Sequence, residues 1–273
     1  MYEAYWKLRR RPFENTFSEE SYYPSESAQG ALLKLRYAVE NRRGAALLAG
    51  PSGLGKTLLI RLLLNQLPEE FSPRLHVVVP TLPAEQLWAY IAAQLGALNL
   101  EGHIPTIADS LLAIELFLSE NTRQGNHAVI VIDEAHLVTQ NETLEALRLL
   151  TNFETDGQLD LSLILAGQTE LLPRIQRFPA FDSRLGVKCL MRPFPLEETI
   201  AYVNHRVRSA GGEQEIFSPE AIERLHLIAG GVPRQINRLC DLALLIGYAE
   251  DRPTLDADQI EAIHEEMVAV VPE

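Results

Sequence analysis

The sequence predicts an α/β fold: a parallel five-stranded sheet with helices on both faces, followed by a small all-helical domain. Three observations predict it. Short apolar runs suited to buried strands alternate with longer segments of helical apolar spacing, the order that produces a parallel sheet. A glycine-rich octapeptide, GPSGLGKT at residues 50–57, joins the first strand to the helix after it. Beyond Arg192-Pro193-Phe194-Pro195 no strand candidate remains and four helical segments follow. The boundary therefore falls near Pro193, with an α/β domain over residues 1–193 and a helical domain over 194–273.

Taken in order, residues 1–30 form an arm rich in aromatic and polar residues with turn signals at PF, YYPS and SES. Residues 31–41 read as a helix. AALLA at 45–49 is short and continuously apolar, a pattern of strands buried on both faces. Residues 57–67 (TLLIRLLLNQL) are an apolar helical run, and HVVVP at 76–80 is a second strand. Apolar spacing predicts helices over 84–95 and 107–120. HAVIVID at 127–133 is the third strand, and NETLEALRLLTNFE at 141–154 a helix with Thr139 or Asn141 as its N-cap. LSLILA at 161–166 is the fourth strand, a short helix covers 170–177, and residues 186–191 are the fifth strand. The helices of the second domain cover 196–209, 219–228, 234–249 and 257–268.

Composition narrows the function. Of 273 residues, 47% are apolar, enough for a sizeable core. No run approaches the length of a membrane span, and the start, MYEAYWKLRRRPF, lacks the apolar stretch of a signal peptide. The expectation is a soluble, cytoplasmic protein. Cys189 and Cys240 are too few for a metal cluster and read as buried thiols. A net charge of −13 argues against sequence-independent nucleic-acid binding, which needs a basic footprint. The charge is uneven: residues 170–210 carry seven bases (Arg174, Arg177, Arg184, Lys188, Arg192, Arg206, Arg208) against four acids, and the tail from Glu250 carries eight acids against Arg252. Such faces are either solvated or complementary in a ring or filament.

The octapeptide, Gly50-Pro51-Ser52-Gly53-Leu54-Gly55-Lys56-Thr57, has the P-loop spacing of glycine, four residues, Gly-Lys-Ser/Thr. Its glycines allow a tight turn that brings backbone N–H groups against phosphate oxygens. Lys56 reaches the β- and γ-phosphates, and the Thr57 hydroxyl ligates Mg²⁺. The helix beginning there points its N-terminus at the phosphates. The ligand class is therefore a nucleoside triphosphate with magnesium. The second half of such a site lies at the end of the third strand. Asp133 stands at the carboxyl end, where parallel sheets bind ligands, and can hold Mg²⁺ beside Thr57. Glu134, one residue on, can polarise water for in-line attack on the γ-phosphate. Asp133-Glu134-Ala135-His136 spells DEAH, and His136 either couples the site to neighbouring elements or is a loop histidine with a local hydrogen bond.

With the P-loop, the DEAH strand and the helical tail together, the chain resembles the AAA+ superfamily. More narrowly it resembles the ExeA / general secretion pathway protein A type of ATPase. The matching stretches are YEAYWKL…PFENT…YYPS, GPSGLGKT, VIDEAH, LEALRLLTNFET, LAGQTEL and GGVPRQINRLCDLAL. The resemblance implies a P-loop NTPase three-layer αβα core with an AAA+ lid, ATP and Mg²⁺ as ligands, and ATP hydrolysis coupled to homo-oligomer assembly. It also assigns roles. Gln168 matches sensor 1 and would contact the γ-phosphate or its water, or cap the helix that follows. Arg184 matches the arginine that reaches across a subunit interface to the transferred phosphate. Arg234, in GGVPRQIN, matches sensor 2 and would project from the lid toward the phosphates. The block around Pro12, Phe13, Tyr22 and Tyr23 resembles a segment lining the adenine side, or packs as an aromatic arm. Secretion-type relatives often continue into a membrane span and a cell-wall-binding domain. This sequence shows neither; a truncated or stand-alone ATPase would fit, and so would a helper to a transposase, so two client systems are carried as expectations: a secretion or assembly machinery, or a transposition machinery served by an ATP-dependent DNA-binding adaptor. A small-molecule kinase shares the P-loop, but explains neither Glu134 beside Asp133 nor the helical domain carrying Arg234.

Overall fold

Ala45–Ala49 forms β1, buried at every position, and Lys56–Gln66 forms α2 directly after the glycine-rich loop. Around this pair the computed structural model, which describes residues 1–14, 22–78, 81–99 and 105–269, places the remaining elements. They run α1 (Glu26–Glu40) before β1, then β2 (Arg74–Val77), α3 (Ala84–Gln94), α4 (Ile107–Arg123), β3 (Ala128–Ile132) and α5 (Asn141–Leu150). A two-strand hairpin, β4 (Glu154–Thr155) and β5 (Gln158–Leu159), precedes β6 (Leu161–Gly167), α6 (Leu171–Gln176), α7 (Pro179–Asp182) and β7 (Leu185–Leu190). The helices α8 (Leu196–Ser209), α9 (Pro219–Ala229), α10 (Pro233–Ala249) and α11 (Ala257–Ala269) complete it.

The sheet is five-stranded and parallel, in the order β2-β3-β6-β1-β7, as the alternating pattern predicts. Because β1 sits between β6 and β7, the chain leaves β1 at the point where strand order reverses, the place where open α/β sheets bind ligands. One face of the sheet presents Leu47, Val77, Ile130, Ile132, Leu163 and Leu165 to α3, α4 and α5, with Trp88, Ile91, Ile114 and Leu147 fully buried against it. The alternate positions, among them Leu48, Val131 and Ile164, are buried as well. This double burial is why the strands read as continuous apolar runs.

Contacts divide the chain into two units. One comprises Ser27–Ser52 and Lys56–Met191, and holds the sheet. The other comprises Met1–Glu26, Gly53–Gly55 and Arg192–Glu273. The leading arm, which the sequence reading attaches to the α/β domain, thus groups with the helices. The reason is aromatic. Trp6 is fully buried and its indole N–H donates to the Leu244 carbonyl at 2.9 Å, while Phe13 packs edge-on to Phe217. Arg206, counted above with a basic segment, is buried: its guanidinium donates to the carbonyls of Pro12 and Glu14 at 2.6 and 2.7 Å and to the Tyr202 hydroxyl at 3.1 Å. It ties the arm to α8 instead of presenting charge to solvent.

Element boundaries depart from the sequence reading where side chains intervene. β2 spans Arg74–Val77 instead of starting at His76, and Val79 and Pro80 lie outside the described residues. Arg74 sets the earlier start, because its guanidinium donates to the carbonyls of Leu64, Leu67, Pro68 and Phe71 at 2.6–2.8 Å, closing the C-terminal end of α2. The predicted helix over 141–154 ends at Leu150, and neither Thr139 nor Asn141 caps it: the N-cap position is Gln140, without a side-chain capping bond. Residues 154–159 turn back as the β4–β5 hairpin through Asp156-Gly157, both at positive φ (53° and 78°), the geometry that suits an Asp-Gly two-residue turn. Cys189 and Cys240 are buried free thiols, as expected. Among the described residues no helix is long and apolar enough to cross a membrane.

Candidate nucleotide site

The parallel strands end together, so the loops after β1, β3 and β6 converge. The ladder continues past the regular strands: the Gly50 amide donates to the Gly167 carbonyl at 3.3 Å, and the Asp133 amide to the Val77 carbonyl at 2.8 Å. Gly53 and Gly55 adopt φ of 84° and 88°, a conformation open to glycine and strained for other residues, so the loop can wrap without side chains intruding. Lys56, the first residue of α2, is buried, and its ammonium donates to the carbonyls of Gly50 and Pro51 at 2.8 Å each. These bonds fold the side chain over the loop it would serve.

Thr57 and Asp133 meet. The threonine hydroxyl donates to Asp133 Oδ2 at 2.7 Å. Asp133 is 2% exposed, and its second oxygen accepts the Glu134 amide at 2.9 Å. Burial by itself raises the carboxyl pKa, but the bonds from His76, Thr57 and the Glu134 amide together outweigh it and hold Asp133 below the ordinary carboxylate value. The side chain is therefore an anion at neutral pH. His76, which the sequence alone places in a strand, also belongs to this site. Its Nε2 lies 3.2 Å from Asp133 Oδ2, and since an ionised carboxylate can only accept, that nitrogen carries the proton. Nothing local in HVVVP signals this; β2 pairing beside β3 in parallel register brings the two together.

Glu134 adopts φ 50° and ψ 33°, left-handed backbone that a non-glycine residue rarely takes, with its side chain partly exposed. Gln168 follows β6, half-buried, and its carbonyl accepts the Leu171 amide at 3.0 Å in the turn that opens α6. Arg184 does not approach the loop of its own chain. It precedes β7, and the register Ala45↔Leu185 puts it at the opposite end of the sheet from Gly50, a strand length of roughly 16 Å. Its Nη1 lies 3.4 Å from the Thr151 carbonyl. Arg234 is exposed near the start of α10; its amide donates to the Gly53 carbonyl at 3.3 Å, and its Cβ would stand 3.0 Å from a Cβ on Gly53. Tyr23 packs edge-on against Phe194 and Tyr202. A cavity of 680 Å³ lies elsewhere, beside α6, lined by Arg174, Arg177 and Glu170 among others.

The family model described as an AAA domain matches residues 39–175. General secretion pathway protein A of Aeromonas hydrophila is 35% identical over 257 residues, 91% of this chain. The chain spans 45% of that relative's length. Among solved structures, Cdc6p from Pyrobaculum aerophilum aligns with a TM-score of 0.73 at 13% identity, covering 96% of this chain and 74% of that one. The Aeropyrum pernix ORC2 protein, solved as ADPNP–ADP complexes, aligns at 0.68 and 18% identity, covering 94% and 71%. At those identities the two structures speak for the fold alone. A P-loop after β1, an acidic pair after β3 and a family match over half the sequence lead to one assignment: the chain belongs to the AAA+ family of P-loop proteins, as a member similar to general secretion pathway protein A.

Proposed function

We propose that the chain binds ATP with Mg²⁺ at the loop of residues 50–57 and hydrolyses it, and that nucleotide-dependent self-assembly harnesses this turnover to a secretion or assembly process. One observation carries the proposal: Thr57 Oγ1 and Asp133 Oδ2 stand 2.7 Å apart, with Glu134 as the next residue, at the strand ends where the P-loop begins. A hydroxyl and an ionised carboxylate are hard oxygen donors that suit Mg²⁺ and complete its shell with phosphate and water oxygens. Bound there, the ion would neutralise phosphate charge in phosphoryl transfer.

The residues of the chain supply the rest. Backbone N–H groups of residues 53–57, at the N-terminus of α2, donate to the oxygens of the phosphate tail. Lys56 exchanges two carbonyl partners for phosphate oxygens. The Glu134 carboxylate orients a water for in-line attack; the new bond forms between that water and the γ-phosphorus, the bond to the ADP oxygen breaks, and the water proton passes toward Glu134. Gln168 contacts the γ-phosphate side, Arg234 answers to the nucleotide from the helical unit, and Arg184 serves the site of a neighbouring copy, because a sheet's length separates it from its own.

Steady-state ATP hydrolysis tests the reading. Wild-type protein is expected to turn over ATP only with Mg²⁺, Lys56→Ala to lose nucleotide binding, and Glu134→Gln to keep binding while losing turnover by a factor of roughly a hundred or more. Turnover surviving either substitution would reject the assignment. The matched relative belongs to the secretion side of the two client systems, and a cytoplasmic location, where ATP is supplied, accompanies this proposal.

A further inference from the structure

Arg174 and Arg177 belong to the basic segment 170–210, and none of the roles above uses either. They stand three residues apart, on α6 and at its C-cap, a spacing that brings two like charges onto one side of a helix. Both line a cavity of 680 Å³ between α6 and the start of α5, together with Asn141, Glu170, Pro173 and Phe178. That volume falls within the range of small-ligand sites. The Phe178 ring is half-buried and packs against the core beneath the sheet, which fixes one wall.

The chain leaves the charges of this cavity uncompensated. Glu170 stands four residues before Arg174, the favourable order for a helical ion pair. The two do not pair, and among the described residues neither arginine has a carboxylate within 4.0 Å. Arg174 turns instead to the His136 carbonyl at 3.4 Å. Desolvation lowers the Arg174 pKa, so this guanidinium gives up water without gaining a counter-ion. The lining holds two bases and one acid, which leaves one net positive charge. A guanidinium fork matches the two oxygens of a planar carboxylate. One net positive charge suits a monoanion, while Glu170 repels a polyanion such as a triphosphate. Phe178 and Pro173 add an apolar wall to the same lining.

We propose that this cavity binds a monoanionic carboxylate carried on an apolar body, with Arg174 and Arg177 holding the carboxylate and Phe178 and Pro173 receiving the body. The Asn141 amide can donate to, or accept from, a polar group of the ligand. Glu170 sets the limit on ligand charge. Two sources present this chemistry: a free aryl carboxylate, and an acidic residue beside an aromatic one in a polypeptide. None of the lining residues belongs to the loop of residues 50–57, so the inference stands apart from the hydrolytic reading.

Calorimetric titration of the full chain at low salt tests it with two probes, phenylacetate and a capped phenylalanyl-glutamate dipeptide. At least one is expected to bind saturably, and the tighter of the two identifies the source. The uncharged phenylacetamide is expected not to bind. Arg177→Gln is expected to raise the probe's Kd about tenfold or more, by removing charge-assisted bonds. Glu170→Gln is expected to lower it several-fold, by removing a like charge. Shifts of opposite sign separate a site that reads charge from a general loss of structure. Both substituted side chains are exposed, so the exchanges are expected to leave the fold intact. Saturating ATP with Mg²⁺ is expected to leave the probe's Kd unchanged. The inference is overturned if neither probe binds saturably, if phenylacetamide binds as tightly, or if either substitution leaves Kd unmoved. Displacement of the probe by ATP, or tighter binding of the inorganic phosphate dianion, overturns it as well.

Discussion

Glu134 is the residue whose backbone and chemistry pull in opposite directions. Left-handed backbone costs an L-residue roughly 1–2 kcal/mol, and part of that cost would disappear in glycine, which adopts the same φ freely. Glu134→Gly is thus expected to raise folding stability by about 0.5–1 kcal/mol in urea unfolding while abolishing ATP turnover. A midpoint that falls instead would show that side-chain contacts outweigh the strain. Next to it, Thr57→Val removes the donor to Asp133 and one proposed oxygen ligand together. The expected result is a higher Mg²⁺ concentration for half-maximal turnover, read by metal titration at saturating ATP. Unchanged metal dependence would remove Thr57 from the ion's shell.

Among the elements, α2 is fixed at both ends by features of different kinds. Its N-terminus follows from the glycine spacing of the loop. Its C-terminus depends on Arg74, eight residues past Gln66, whose guanidinium closes onto four carbonyls. Arg74→Ala would leave those partly buried acceptors short of donors and is expected to cost about 2 kcal/mol of stability, measured by denaturant unfolding. A loss indistinguishable from zero would mean that water replaces the arginine fully. The β4–β5 hairpin teaches a related lesson. Its Asp-Gly signal stands in the sequence, but Phe153 continues the helical apolar spacing and masks it. Tertiary context ends the helix at Leu150, and turn chemistry supplies the hairpin.

For the whole molecule, pH and assembly offer the informative tests. His127 is fully buried, with its ring nitrogens 3.1 Å from the Leu159 carbonyl and 2.9 Å from the Ser162 hydroxyl. Burial, and secondarily the charge of Arg42, lower its pKa from 6.5 to about 4. The unfolded chain then binds a proton that the folded chain refuses, so this contribution is complete above pH 6.5 and is lost progressively as pH falls to about 4. Stability measured across that window should decline less steeply in His127→Gln; identical slopes would remove His127 from the account. Arg184 belongs to this scale because it lies a sheet's length from its own P-loop. Arg184→Ala and Glu134→Gln, each inactive alone, are expected to regain part of the turnover when mixed, since a hybrid interface restores one complete site. No recovery, with mixed assemblies demonstrated by mass measurement, would withdraw the role in trans.

The sequence by itself determined the class of fold, the parallel sheet and the loop–strand pair around Lys56, Thr57, Asp133 and Glu134. Those features are local: glycine spacing dictates a loop, continuous apolar runs dictate strands buried on both faces, and an acid after such a run must emerge at the strand's end. Only the tertiary structure decided that His76 bonds Asp133, that Arg206 clamps the leading arm, and that Arg174 reaches the His136 carbonyl. Each of these joins residues distant in sequence or oriented by backbone turns. Their partners are selected by strand order and packing, which no single segment encodes.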